Sequence, residues 1–460
     1  MDYFNHFSND WFGYFKIKIM DLYKKIFHKK KILIYGMGKT GISGYQYLKK
    51  NNQTFLYDDN KNIFIKKNLK KLLLDRNKIQ KSKFDFILTS PGINVYKCDL
   101  KDYLKKNQKK IITDLDIFYS HYSKNKIITI TGTNGKSTTA KLLDLILKAH
   151  KKDSRLCGNI GTPILSQKKI SKNTLFVVEA SSYQIAYSKL FKTNYAVILN
   201  ISPDHIERHG SIEKYVSAKF KLITSQSKKD FAYINSKDKY LKKKIKKSKI
   251  FSKIIKVNPD AINNFNKKVV NPYFFSQGNR ENLSFIFSIS KKLNLKKNKI
   301  FKTINKFKGL KYRQQIVYNN NKITFINDSK ATTFASTTNI LKSLKKVYWL
   351  VGGLGKLGDK FTLNKKECNN IRAYIFGKNK NFFIKQFKNK LSYCCFKDLK
   401  SAVRQVLKEI VNNGNSLHKT VLFSPSAASF DSFKNFEERG EYFNFLLKKY
   451  KVQETINANR

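Results

Sequence analysis

Runs of apolar residues alternate with segments of helical period from residue 31 to the end of the chain. KILIY at 31–35, FLY at 55–57, FDFILT at 84–89, IITI at 127–130, LFVV at 175–178 and YAVILNI at 195–201 each stop at glycine, hydroxyl or charged residues. KITFIN at 322–327, VYWLVGG at 347–353, RAYIFG at 372–377 and KTVLFSPS at 419–426 repeat the theme. AKLLDLILKA at 140–149 and NRENLSFIFSISKKL at 279–293 carry helical periodicity between such runs. Strands alternating with helices predict parallel or mostly parallel sheets. Between 229 and 270 the pattern weakens into a Lys-rich stretch, which predicts a solvated, variable region with helical pieces. No repeat of solenoid period is present. The expected fold is α/β with three domains: 30–114, Rossmann-like; 115–309, a central P-loop ATPase type; and 310–460, again Rossmann-like. A variable basic and aromatic extension covers 1–29.

Composition changes this picture little. At 460 residues and 41% hydrophobic, the chain has enough apolar surface for folded domains. Lys and Arg number 93 against 31 Asp and Glu, a net +62. Such an excess suggests nucleic acid or an anionic surface, but it is mostly Lys and is spread through the whole chain beside many Asn, Ile, Phe and Tyr. A nucleic-acid face would concentrate cations on one element, so no specific nucleic-acid partner is expected, only salt-sensitive adhesion to polyanions. Five cysteines without a CxxC pair indicate neither a zinc knuckle nor a disulfide framework. With no apolar run of about 18 residues there is no predicted membrane span. The extension, with Phe4, Phe7, Trp11, Phe12, Tyr14 and Phe15, lacks the apolar core and cleavage site of a signal peptide, and Met20 offers another start. A cytoplasmic monomer is the expectation.

The chemistry is concentrated in TGTNGKSTT at 131–139, which joins an apolar strand to a helix. Backbone N–H groups of Gly132, Thr133, Asn134, Gly135 and Thr138, with the positive end of the helix dipole, suit a phosphate; Lys136 adds a charge and Ser137 a hydroxyl for Mg²⁺. The early glycine of the general P-loop is Ile130 here, so the match is partial. Glu179 and His205, at the ends of neighbouring strands, are the candidate hard and imidazole ligands for a metal nucleotide. Gly36, Gly38 and Gly41 form a G-x-G-x-x-G after the first strand, and the acids of FLYDDN follow at the distance where a nucleotide ribose is held. That segment either binds something nucleotide-like or packs tightly at its turns.

Taken in order, TGTNGKSTT, GNIGTP at 158–163, VVEASSYQ at 177–184, LNISPDHIERH at 199–209, INDSKATT at 326–333 and SPSAASFDSFKNFEERG at 424–440 resemble the Mur ligases, in the branch that adds D-glutamate. The resemblance covers nearly everything from Lys31 onward. It implies an ATP-dependent amide ligase of peptidoglycan precursor synthesis, which joins D-glutamate to UDP-N-acetylmuramoyl-L-alanine through an acyl phosphate. It implies that Lys136 holds the β/γ-phosphates, that Ser137 and Glu179 coordinate one Mg²⁺, and that His205 and a carbamoylated Lys219 bind a second. Asn279, Asn282, Arg313 and Asp328 fall where the family grips ATP. Lys330, Thr332, Lys356, Ser429 and Phe436 fall where it holds D-glutamate. Lys39, Thr40, Asp59, Asn60, Ser90 and Gly92 surround the uridine diphosphate in such an alignment, and Asn159 lies near the muramoyl group. The chain departs from the usual family pattern at Ala180, Gly278, Leu354 and PSAAS, residues 425–429. Sister Mur ligases and folylpolyglutamate synthases share the P-loop, but FKNFEERG speaks against both. A basic P-loop nucleic-acid-binding protein leaves Glu179, Asp328 and the C-terminal motif without a purpose.

Overall fold

The computed structural model describes residues 25–60, 67–356, 358–412 and 418–452. Most of the extension, with Met20 and its aromatic residues, lies outside them. Among the described residues sixteen strands form three sheets. β1 (Lys31–Tyr35), β2 (Gln53–Tyr57), β3 (Phe86–Thr89) and β4 (Ile111–Ile112) make a parallel sheet in the order β2-β1-β3-β4. β5 (Lys126–Thr131), β6 (Ser154–Gly158), β7 (Leu175–Glu179), β8 (Tyr195–Ile198), β9 (Phe231–Asn235) and β10 (Lys253–Val257) make a second, also parallel, in the order β10-β9-β8-β5-β7-β6. β11 (Gln315–Asn319), β12 (Ile323–Asn327), β13 (Val347–Gly352), β14 (Ile371–Phe376), β15 (Ser392–Cys395) and β16 (Lys419–Phe423) make the third, in the order β11-β12-β16-β13-β14-β15. Its edge strand β11 runs antiparallel to β12, and the rest is parallel.

The Lys-rich stretch is more ordered than its pattern predicts. FAYIN is β9, buried along most of its length, and KIIKV is β10 at the sheet edge. Between them the helix Lys239–Lys246 buries Leu241 and turns its lysines outward. Exposed lysines on an edge strand and on one face of a helix dilute the apolar signal without removing it, since only the buried positions need be apolar.

The described residues of Met1–Asn258 and Ser288–Leu295 gather into one compact unit, and those of Pro259–Phe287 and Lys296–Arg460 into another. In the first, one continuous core runs from Ile32, Ile34 and Leu88 through Ile117 and Phe118 to Phe176, Val178, Ile198 and Ile234. Leu33, Tyr35, Ile87 and Leu104 fill the other face of the first sheet. The helix Asp114–Tyr122 opens with a capping box between Thr113 and Asp116; Asp116 also accepts from Ser188 Oγ and the Lys189 and Leu190 amides, fixing the chain where it enters the second sheet. In the second unit, apolar clusters cover both faces of the third sheet. Trp349 is fully buried in it, and its indole N–H donates to the Ser424 carbonyl at 2.8 Å. Among the described residues no helix is long and apolar enough to cross a membrane.

Candidate active site

The carboxyl end of β5 turns through Gly132 and Gly135 into the helix Lys136–Ala149. Gly135 sits at φ 82° as the N-cap, a left-handed position that favours glycine, and it carries no side chain to spend on the first amides of the helix. The positive helix end is thus left for an anion. The loop is held from outside by Asn200, two residues past the end of β8: its side chain accepts from the Asn134 amide at 2.8 Å and its carbonyl accepts from the Thr133 amide at 2.9 Å. Thr133 Oγ1 accepts from the Ser202 amide at 3.0 Å and pairs with Tyr215 OH at 3.1 Å. Lys136 Nζ bonds the Gly132 and Thr133 carbonyls at 2.9 and 2.7 Å. The cradle is preformed.

Glu179 closes β7 and is 1% exposed. Its Oε1 accepts from Asn159 Nδ2 at 2.9 Å, whereas Oε2 and the Ser137 hydroxyl are buried without a hydrogen-bond partner. Two buried oxygens left unsatisfied are costly unless something binds them. A hydroxyl and a carboxylate are the hard donors that Mg²⁺ takes, so the residues present fit that ion. Among the described residues no group of three or more His, Cys, Asp or Glu is placed to hold a metal, so these two oxygens are not part of an all-acid cage. Lys219, on the helix Ile212–Thr224, is 2% exposed. Its Nζ bonds the Gly132 carbonyl at 2.9 Å and lies 4.7 Å from the centre of the Tyr215 ring. Burial, reinforced by the Lys136 charge and opposed by Asp204 and Glu179, pulls the Lys219 amine well below its ordinary range. His205 takes a left-handed φ of 57° as the N-cap of the one-turn helix Ile206–His209, with Nε2 3.3 Å from Asp204 Oδ2.

In the first sheet, Gly36 turns at φ +94°, and a Cβ on Gly41 would stand 1.9 Å from the Gly36 carbonyl, so the glycine pattern is set by close packing of loop on helix. Lys39 and Thr40 open the helix Lys39–Leu48, capped by Gly38 without a side-chain bond. Ser90 Oγ donates to the Gly36 carbonyl at 2.6 Å, and Gly92 has open space where a Cβ would stand. Asp59 accepts from the buried Tyr35 hydroxyl, and burial raises its carboxyl above the usual range. Asn60 donates its amide to Asp58 Oδ1 at 2.9 Å. The sequence predicted this ring of residues, and the structure brings them to one sheet edge; Tyr35 is an added member that a buried-strand reading hides.

In the second unit Asp328 directly follows β12. Its oxygens accept from the Gln314 amide and from Ser424 Oγ, both at 3.0 Å. Burial pushes its carboxyl up to about 7, against the pull of those two donors and of Arg313. Asn279 donates to Gln314 Oε1 at 2.9 Å, and Asn282 is buried on the same helix. A cleft of about 260 Å³ lined by Tyr273, Ser276, Gln314, Ile316, Ile326 and His418 adjoins them. Lys330 Nζ lies 4.1 Å from the centre of the Phe436 ring. The Lys356 loop meets the Ser429 loop through paired amides of Leu354 and Ala428 at 2.9 Å, and Thr332 follows Ala331, whose amide bonds the Asp328 carbonyl at 2.9 Å. Arg439, fully buried, ties these loops together by donating to Ser329 Oγ at 3.1 Å, the Ser329 carbonyl at 2.8 Å and the Ala427 carbonyl at 3.0 Å. Sequence reasoning missed Asn200, Tyr215, Gln314 and Arg439. Asn200 and Arg439 lie inside quoted motifs, whereas Gln314 has no local signal.

A profile of the Mur ligase middle domain matches residues 130–294. The UDP-N-acetylmuramoylalanine–D-glutamate ligase of Rickettsia prowazekii is 34% identical over 452 residues, covering 94% of this chain and 100% of the relative. Its namesake from Elusimicrobium minutum is 32% identical, covering 92% and 98%. Among solved structures, MurF ligase from Thermotoga maritima in complex with ADP aligns at TM-score 0.55 and 14% identity over 92% of this chain and 99% of that one. UDP-N-acetylmuramate–alanine ligase MurC from the same organism aligns at 0.53 and 15%, over 92% and 100%. At such identities these two speak for the fold alone. The full-length relatives and the middle-domain match place the chain in the Mur ligases, and it belongs to the family of the UDP-N-acetylmuramoylalanine–D-glutamate ligases.

Proposed function

We propose that the chain is an ATP-dependent ligase that adds D-glutamate to UDP-N-acetylmuramoyl-L-alanine in peptidoglycan precursor synthesis. The observation that carries the chemistry is the cradle with Lys136, the unpartnered Ser137 and Glu179 oxygens and the buried amine of Lys219 on one wall. In this reading the γ-phosphoryl group of ATP passes to the L-alanyl carboxylate with release of ADP. The D-glutamate amine then attacks the acyl carbon, and phosphate leaves. Lys136 and the loop amides Gly132 to Thr138 orient the β/γ-phosphates. Ser137 and Glu179 would hold one Mg²⁺, and His205 with Lys219 a second; bound there, Mg²⁺ would neutralise charge on the transferring phosphoryl oxygens. An amine kept neutral by burial is the form that adds CO₂, which supports a carbamate on Lys219 and would turn that side chain into an anionic ligand.

Asn279, Asn282, Arg313 and Asp328 are read as the ATP grip of the second unit, with the cleft beside Gln314 suited to a flat base. Lys330, Thr332, Lys356, Ser429 and Phe436 are read as the D-glutamate site, where the two lysines suit its carboxylates. Lys39, Thr40, Asp59, Asn60, Ser90 and Gly92 are read as the uridine diphosphate site, with Asn159 towards the muramoyl end. Three domains at 30–114, 115–309 and 310–460, a monomer in the cytoplasm and no specific nucleic-acid partner complete the reading. The test is ADP release across a panel of amino acids with UDP-N-acetylmuramoyl-L-alanine. Release should require D-glutamate; robust turnover on another amino acid with no stimulation by D-glutamate overturns the assignment.

A further inference from the structure

Arg208 lies on the one-turn helix that His205 caps, yet its guanidinium reaches the loop after β3. Nη1 donates to the Pro91 carbonyl at 2.7 Å and Nη2 to the Ile93 carbonyl, so one planar fork grips both sides of Gly92. The same guanidinium lies over Tyr183, with its carbon 3.5 Å from the ring centre. Tyr183 stacks on His209 at 5.1 Å and 12°, and His209 meets Tyr215 edge-on at 5.3 Å. Tyr215 is the residue that pairs with Thr133 in the phosphate cradle. On the other side, Ser90 locks the same loop to the Gly36 carbonyl. The contacts therefore run without a gap from the glycine loop of the first sheet to the cradle of the second, within one compact unit, and Arg208 is a polar link between these loops above the shared apolar core.

We infer that Arg208 is a positioning residue, which holds the 90–93 loop, and through it the glycine loop, in register with the phosphate cradle, and so sets the affinity for the UDP-linked substrate. It rests on the function proposed above. A lysine at 208 keeps the charge but cannot span two carbonyls with a rigid fork. The geometry calls for a guanidinium.

The test compares Arg208→Ala and Arg208→Lys with the wild type in the full chain, by steady-state ADP release and by calorimetric titration of UDP-N-acetylmuramoyl-L-alanine without ATP. Losing charged hydrogen bonds to two carbonyls should weaken binding of the UDP substrate by about tenfold or more in both variants. The KM for ATP should stay within about twofold of wild type, and methylguanidine should restore Arg208→Ala but leave Arg208→Lys unchanged. A role confined to stability would lower the melting temperature and the active fraction while leaving both affinities alone. Wild-type affinity for the UDP substrate in folded Arg208→Ala overturns the inference. Absence of D-glutamate-dependent turnover in the wild type would instead count against the function.

Discussion

At the scale of single residues, Lys219 carries the sharpest consequences. A lysine whose amine is pulled well below its ordinary value of 10.5 binds fewer protons folded than unfolded. Across the window between the folded value and 10.5, unfolding therefore takes up a proton, and wild-type stability rises with pH. Methionine has a similar length and nothing to ionise. In CO₂-free buffer Lys219→Met should melt a few degrees above wild type at neutral pH, with the gap closing as pH climbs towards 10, while ADP release falls by about a hundredfold or more. Differential scanning calorimetry at several pH values reads the first effect. A gap that widens with pH contradicts the buried neutral amine. Short carboxylic acids should restore part of the activity of Lys219→Ala, because they can take the place of the proposed carbamate; wild-type activity in that variant removes Lys219 from the chemistry.

At the scale of elements, what the sequence made legible was whatever the local chain must do by itself. Each apolar run from KILIY to KTVLF became a strand, because a buried parallel strand has to be apolar on both faces. The glycine loop of the first sheet was legible because at Gly36 and Gly41 a Cβ would collide with the atoms packed against it. Gly41→Ala tests this directly: the new methyl would meet the Gly36 carbonyl, and backbone cannot yield as a side chain tip can. A loss of about 1–3 kcal/mol in chemical denaturation is expected, together with a raised KM for the UDP substrate; an unchanged midpoint would mean that the loop has room to move. FAYIN and KIIKV were obscured by lysines in and around them, which report solvent exposure at those positions and not absence of buried residues beside them. Side chains that act across sequence, such as Gln314 on Asn279 and Asn200 on Asn134, were unreadable because their partners are fixed only by the fold.

At the scale of the whole molecule, the net charge of +62 is a property of the surface field and leaves the fold untouched. Binding to arbitrary duplex DNA should fall by at least about a hundredfold between roughly 50 and 200 mM salt and show no sequence preference. Selective binding that persists through that range would reveal a nucleic-acid function beyond the ligase. The chain has two tryptophans, one of them Trp11 in the extension. With Trp11 changed to Phe, all tryptophan emission would come from Trp349. Its indole bonds the carbonyl of Ser424, and the hydroxyl of Ser424 bonds Asp328. The protein thus carries its own optical gauge, with the single residue Ser424 between it and the carboxylate proposed to grip the nucleotide, and its colour can be followed through a turnover without attaching a dye.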